Sequence, residues 1–420
     1  MGYGHLRAAH ALADAAGVPV LEADGPDVAS EDERRMWARS RALYEALSRS
    51  AGGGVMRPVS RFALARITAI PRMTRAGGLS ERTAAVRYLA RLMEKGLCSG
   101  AVARARALGA PLLTTFYAPA IAADLAGHGP VVCVVTDSDV NRVWAPEHPA
   151  GTRIRYAVPG HRAARRLRAF GVPADLVHVT GFPLPLELVG DAGADVLQRN
   201  LASRLVRLDP RGAFRKGAAA DARRAMDDAD PEAARRPPLV VFAVGGAGAQ
   251  VELACALPDA LSEEIREGRL RLALVAGTRE DTAERCLAAV EAAGLLDHMG
   301  PAGPIDVVRS PSFTGYLEQL SVVLAGADVL WTKPSEMTFF AGLGLPLLLA
   351  PSLGKHEEHN ARTVLRRGAA LRAGSARHAA RWLPGLLSEG RLAAAAWAGW
   401  RRLPSHGTRR ILSLVAGESG

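Results

Sequence analysis

The stretch LVVFAVGGAGAQVELACAL (239–257) decides how the chain is read. Leu239 to Val244 is an unbroken apolar run rich in valine, the pattern of a strand covered on both faces. It leads into Gly245-Gly246-Ala247-Gly248, and Ala249-Gln250 then opens a helical pattern. Small residues let the backbone approach an anion closely. The free N–H groups of a helix start, with the helix dipole, favour phosphate or diphosphate. No lysine follows in the G-x-x-x-x-G-K-[ST] spacing, so the phosphate loop of nucleotide hydrolases is not indicated. A tight strand–helix turn without ligand uses the same residues, and spacing alone leaves both readings open.

Around this stretch, short apolar runs alternate with helical patterns. Before it lie PLLTTF (111–116), VVCVVTD (131–137), RIRYAVP (153–159) and DLVHVTGFP (175–183), with HRAARRLRAFG (161–171) reading as a helix closed by Gly171. After it come RLALVAG (271–277), PIDVVRS (304–310), VLWTK (329–333) and LPLLLAP (345–351). Strands alternating with helices give parallel α/β sheets. With 420 residues, two cores are expected. The reading is a Rossmann-like domain over 1–190, a linker or mobile insertion over 191–237 and a second Rossmann-like domain over 238–390. A helical segment over 391–420 follows. The linker assignment rests on GAAADARRAMDDADPEAARRPP (217–238), which has little to bury. Ligands of such sheets bind beyond the C-terminal strand ends.

Lysine and arginine exceed the acids by 53 to 42, a net charge of +11. That balance suits an anionic partner or a solvated arginine-rich surface. Scarce aromatics (5%) offer no stacking platform, which disfavours nucleic acid. Four scattered cysteines, with no C-x-x-C pair, read as reduced thiols of a cytoplasmic protein. No secretory leader is evident, and no run approaches the ~18 apolar residues of a membrane span. VMRPVSRFALARITAIPRMTRAGG (55–78) sets Arg57, Arg61, Arg66, Arg72 and Arg75 among apolar positions. It reads either as a helix with an arginine outer face or as a contact with the inner face of an anionic membrane.

Three further motifs carry chemistry. In WTKPSEM (331–337) a strand meets a polar turn. Thr332 or Ser335 can cap the next helix, with Glu336 in its first turn, or Glu336 can accept from ribose hydroxyls while Lys333 meets a phosphate. GKHEEHN (354–360) reads as a loop; His356 and His359 stand three apart without a third ligand, so no metal is expected. Asp137-Ser138-Asp139 after a strand is a weak D-x-D signal for a sugar nucleotide. The chain opens with GYGH (2–5) ahead of a helical pattern, a loop that ordinarily follows a strand. A preceding strand of roughly six to ten residues is therefore expected upstream, and without it Gly2–His5 is expected to be mobile.

Taken in order, GYGHLRAA (2–9), VVTDSDVNRVW (134–144) with GVPADLVHVTGFP (171–183), AVGGAGAQ (243–250) and WTKPSEMTFFAGLGLPLLLAPSLGKHEEHN (331–360) resemble glycosyltransferase family 28, of the GT-B fold. That family includes monogalactosyldiacylglycerol synthases and the N-acetylglucosaminyltransferase of lipid II. The resemblance implies two Rossmann-like domains facing a central cleft. It implies a nucleotide-sugar donor, most often UDP-linked, on the C-terminal domain, and a lipid or other hydroxyl acceptor on the N-terminal one. No cofactor or metal is implied. By position, His5 corresponds to a candidate general base, and Gly4, Asp137 and Asp139 to the acceptor side. Gly245, Gly246 and Gly248 correspond to the diphosphate loop, with Lys333, Ser335, Glu336, His356, Glu357 and Asn360 completing the donor site. One departure is visible: Phe339, Phe340 and Ala341 stand where the family carries a ribose-binding Glu, and Glu336 is the nearest acid. A nucleotide-sugar epimerase on the same scaffold, or a non-catalytic nucleotide-sugar or lipid binder, is the alternative.

Overall fold

The computed structural model describes residues 2–52, 79–245, 248, 250–300, 303–352 and 355–417, with only the backbone of 43–52 and 355–356. The arginine-rich stretch 55–75, Gly246 and the side chain of His356 lie outside the described residues. The chain divides into two compact units, Ala8–Pro183 with Gly407–Gly420, and Leu184–His406 with Met1–Arg7. The architecture is α/β with two parallel sheets.

The sheet of the first unit contains β1 (Leu112–Thr114), β2 (Val131–Val134), β3 (Arg155–Val158) and β4 (Val177–Val179). They lie side by side in chain order, all parallel. β2 is buried along its whole length, as an apolar run in a covered parallel sheet should be. Cys133 stands opposite Tyr156 in the β2–β3 register, and both enter a core with Ile121, Leu167 and Phe170 of the neighbouring helical segments. Leu12 and Ile411 join Val132, Val134 and Ala157 in a smaller cluster. Successive strand residues point to opposite faces, so these two clusters cover the two sides of the sheet.

The second unit contains β5 (Leu239–Ala243), β6 (Arg271–Gly277), β7 (Ile305–Arg309), β8 (Val329–Thr332), β9 (Leu347–Leu349) and β10 (Ala370–Arg372). Their order is β10-β9-β8-β5-β6-β7, again all parallel. The chain builds outward from β5 through β6 to β7, then returns to place β8 on the other side of β5. Strand order therefore reverses between β5 and β8. Their register pairs Phe242 with Trp331 and Ala243 with Thr332, so both strands end at the same level. Trp331 is buried between Phe242, at 5.7 Å between ring centroids, and Trp382, at 5.2 Å.

Two expectations need correction here. The segment 191–237 is not a bare linker: it holds the helices Asp195–Arg207, Ala213–Gly217, Ala220–Asp227 and Pro231–Arg235. Leu201, Leu205, Leu208 and Met226 enter the core of the second unit. Buried Arg204 donates to the carbonyls of Ala327, Leu343 and Gly344, each at 2.9 Å. Arg207 and Arg236 close on the buried carboxylate of Asp328. The 391–420 stretch is also not one segment, since the helix Arg391–Arg402 falls in the second unit and Gly407–Ala416 in the first.

Candidate functional site

The reversal between β5 and β8 leaves a crevice beyond their C-terminal ends, the usual ligand position in an open parallel sheet. A cavity of 370 Å³ lies there, lined by Gly2, Tyr3, Gly4, Arg7, Val244, Gly245, Thr332, Lys333, Ser335, Glu336 and Met337. All of these residues belong to the second unit. The lining holds two cations, Arg7 and Lys333, and one carboxylate, Glu336.

The loop after β5 turns at Gly248, whose φ is +72°, and its N–H donates to the Gly245 carbonyl at 2.7 Å. Gln250 is left-handed at φ +66° and precedes the helix Val251–Ala260. A side chain at Gly245 would put its Cβ 2.9 Å from Lys333 Cε, so glycine there lets the lysine cross the loop. Lys333 Nζ donates to Glu357 at 2.9 Å. Ser335 caps the short 3-10 helix Glu336–Leu343, its Oγ accepting from the Met337 N–H at 3.4 Å. Thr332 turns inward instead and donates to the Ala243 carbonyl at 3.4 Å.

Arg7 is the cavity residue that the sequence reading missed. The helix Tyr3–Ala16 begins at Tyr3, so Gly4 and His5 sit in a first helical turn rather than in a loop. Arg7 donates to Glu336 and to the Tyr316 hydroxyl. Burial pulls its guanidinium down, but Tyr316 and Glu336 outweigh this and hold it above its ordinary value. Its Nε is buried without a hydrogen-bond partner among the described residues. Tyr3, one helical turn earlier, packs on Phe313 and Tyr316 with centroids 5.0 and 5.5 Å away. The i, i+4 spacing of Tyr3 and Arg7 was the available signal.

Other assignments move. Gly4 belongs to the second unit and not to the N-terminal domain in which the sequence reading put it. A Cβ on it would lie 2.9 Å from Glu336 Oε2, and its lack of a side chain admits that carboxylate. His5 is half-buried and is not in the cavity lining. Asn360 is buried and donates to the Pro334 carbonyl at 3.3 Å, which ties its helix to the Lys333–Ser335 turn. Residues 355–360 do not form a loop, because Lys355–Arg366 is a helix. Glu357 holds Lys333 from this helix.

Asp139 is buried in the first unit between Arg162 and Arg166, at 2.6 and 2.9 Å. Burial alone would raise its carboxyl, but the two guanidinium groups outweigh it and hold the acid below its ordinary value. It anchors the loop after β2 and presents no free carboxylate. Asp137 is half-buried in the same loop. A larger cavity of 740 Å³ in this unit is lined by Leu89, Met93, Val102, Ile121 and Arg153 among others. Arg153 precedes β3, so that cavity reaches the N-terminal strand edge, away from the customary ligand side. Among the described residues no three His, Cys, Asp or Glu side chains cluster as metal ligands, and no helix is long and apolar enough to cross a membrane.

No protein-family profile and no curated protein matches this chain. Among solved structures it is similar to MurG of Acinetobacter baumannii, at 16% identity and TM-score 0.46 over 82% of each chain. It is also similar to the glycosyltransferase SnogD of Streptomyces nogalater, at 15% identity and TM-score 0.40 over 89% of this chain and 93% of that one. A third is the UDP-GlcNAc 2-epimerase of Neisseria meningitidis bound to UDP-GlcNAc, at 9% identity and TM-score 0.40, over 82% and 84%.

Proposed function

We propose that the second unit binds a nucleoside-diphosphate sugar and that the chain transfers the sugar to a hydroxyl acceptor. The observation that carries this reading is the cavity at the strand-order reversal, where Gly245 of the turn after β5 and the first turn of the helix Tyr3–Ala16 meet Lys333 and Arg7. Gly245, Gly246 and Gly248 cradle the diphosphate, with Lys333 beside it. The leaving diphosphate gains charge in the transition state, and fixed cations with a helix N-terminus stabilise that charge without reorganising. Glu336 receives the ribose hydroxyls. An ionised carboxylate has about four acceptor positions, so pairing with Arg7 leaves room for a ligand. Ser335, His356 and Glu357 complete the donor side. His5 is the candidate base, and the acceptor is a lipid or another hydroxyl compound.

The test is to incubate the protein with UDP-sugars and follow both released UDP and the sugar configuration by NMR. UDP release that depends on an added hydroxyl acceptor and falls in Lys333→Ala supports the reading. Loss of acceptor-dependent release in His5→Ala assigns the base; unchanged release removes His5 from the mechanism. A C2 epimer with UDP still attached replaces transfer by epimerisation. Absence of binding to every nucleoside-diphosphate sugar overturns the site itself.

A further inference from the structure

The carboxylate of Glu336 meets the first turns of the helix Tyr3–Ala16, where Gly4 and Arg7 stand three residues apart on one face. Its Oε1 accepts from Arg7 Nη1. Its Oε2 lies where Gly4 lacks a side chain, since a Cβ there would come within 2.9 Å of it. Arg7 is itself held in place. Its Nη2 donates to the Tyr316 hydroxyl, and its Cζ stands 5.5 Å from the ring centroid of Tyr3 and 5.4 Å from that of Tyr316. Tyr3 is tied in turn to Thr278 Oγ1 through its hydroxyl. All of these residues belong to the second unit.

We infer that Arg7, fixed by Tyr316, is a positioning residue that holds the Glu336 carboxylate ready for the vicinal hydroxyls of a ribose, and that the site thereby selects ribonucleotides over 2′-deoxyribonucleotides. The inference rests on the nucleotide-sugar reading and adds to it the class of nucleotide and the residues that enforce the choice.

A glutamate in a turn ordinarily loses side-chain freedom when a ligand binds it, and that loss weakens the gain from its hydrogen bonds. Here the freedom is removed beforehand, by Arg7 on one oxygen and by the close approach of Gly4 on the other. Arg7, Gly4 and Glu336 all line the 370 Å³ cavity, so the fixed carboxylate belongs to the ligand space. The pose of Arg7 points the same way. Its Nη1 and Nη2 serve Glu336 and Tyr316, while its Nε is buried without a hydrogen-bond partner. Buried donors left unpaired are rare and call for a reason beyond packing. Holding Glu336 from a guanidinium anchored on Tyr316 supplies one. The planar fork of arginine spans both partners at once, which a lysine ammonium on a flexible stem does less well. A site built to hydrogen-bond a substrate hydroxyl rejects the analogue that lacks it, because a polar group of the site is then left unpaired.

The experiment is calorimetric titration of the native chain, Arg7→Met, Arg7→Lys and Tyr316→Phe with UDP and 2′-deoxy-UDP, and with GDP and 2′-deoxy-GDP. The native protein should prefer the ribonucleotide of the pair it binds by roughly tenfold or more, as one hydrogen bond to a charged group allows. In Arg7→Met that preference should collapse, through weaker binding of the ribonucleotide with the deoxyribonucleotide little changed. Arg7→Lys should restore part of it. Tyr316→Phe keeps the ring and should lower the preference partway, which covers a folding failure of Arg7→Met. A purely structural role for Arg7 would weaken both members of a pair alike and leave their ratio at the native value; that result overturns the inference. So does a native protein that binds both members equally, although the nucleotide site itself then stands. Failure of every nucleotide to bind the native chain removes the nucleotide-sugar reading and this inference with it.

Discussion

Arg7 and Glu336 form an ion pair with side chains only 7% and 12% exposed. Removing one member of a buried pair leaves the other charge uncompensated and costs roughly 3–5 kcal/mol. Glu336→Ala should therefore destabilise the ligand-free protein by about that amount in urea unfolding, besides weakening nucleotide binding. Unchanged stability with reduced affinity would make Glu336 a ligand group and nothing more. Asp139 makes a pH prediction. Its folded value lies below the ordinary 3.8, so its contribution is present above 3.8 and is lost as pH falls through the folded value. Asp139→Asn should lower stability at neutral pH by about 3–5 kcal/mol and flatten the acid limb of a Tm–pH curve. An acid limb of unchanged slope would contradict the assignment. At this scale the sequence was only partly legible. Lys333, Ser335, Glu336 and Gly245 stood out in the sequence because each lies just past a strand end, and all four fall in the cavity lining. Asp139 was misread because its partners Arg162 and Arg166 lie on the next helix, where they look like solvated surface.

At the scale of elements, Gly245 shapes the turn after β5. Gly245→Ala should push Lys333 aside and lower nucleotide affinity about tenfold, or about 1.4 kcal/mol, with little change in Tm. Equal affinity by calorimetry would remove Lys333 from the site. The helix Asp195–Arg207 makes a second prediction. Arg204→Met removes the donor from three carbonyls, at about 1–3 kcal/mol for each carbonyl left buried without one. Urea unfolding should show the loss, and a stability change near zero would restore the reading of this segment as a linker. Strands β1 to β9 were legible because each is an apolar run between turn residues. β10 was hidden because three residues beside Arg366-Arg367 make no period. The 195–235 helices were hidden because arginine and alanine dominate them, and arginine buried by carbonyls and Asp328 has no apolar signature.

At the scale of the whole molecule, two parallel α/β units were legible from alternation and length, whereas the unit boundaries were not. Leu184 rather than 238 opens the second unit, and the chain's first residues join it, because contacts and not sequence order define a unit. The account's central claim is that this unit holds a nucleoside diphosphate at the β5–β8 reversal. Isothermal titration of UDP into the native protein, Lys333→Ala and Gly245→Asp tests it most directly. The account predicts one saturable site in the native protein, weakened in Lys333→Ala and absent in Gly245→Asp, where a carboxylate would face the diphosphate. Binding of equal strength in all three, or no binding of any nucleoside diphosphate to the native chain, would contradict it.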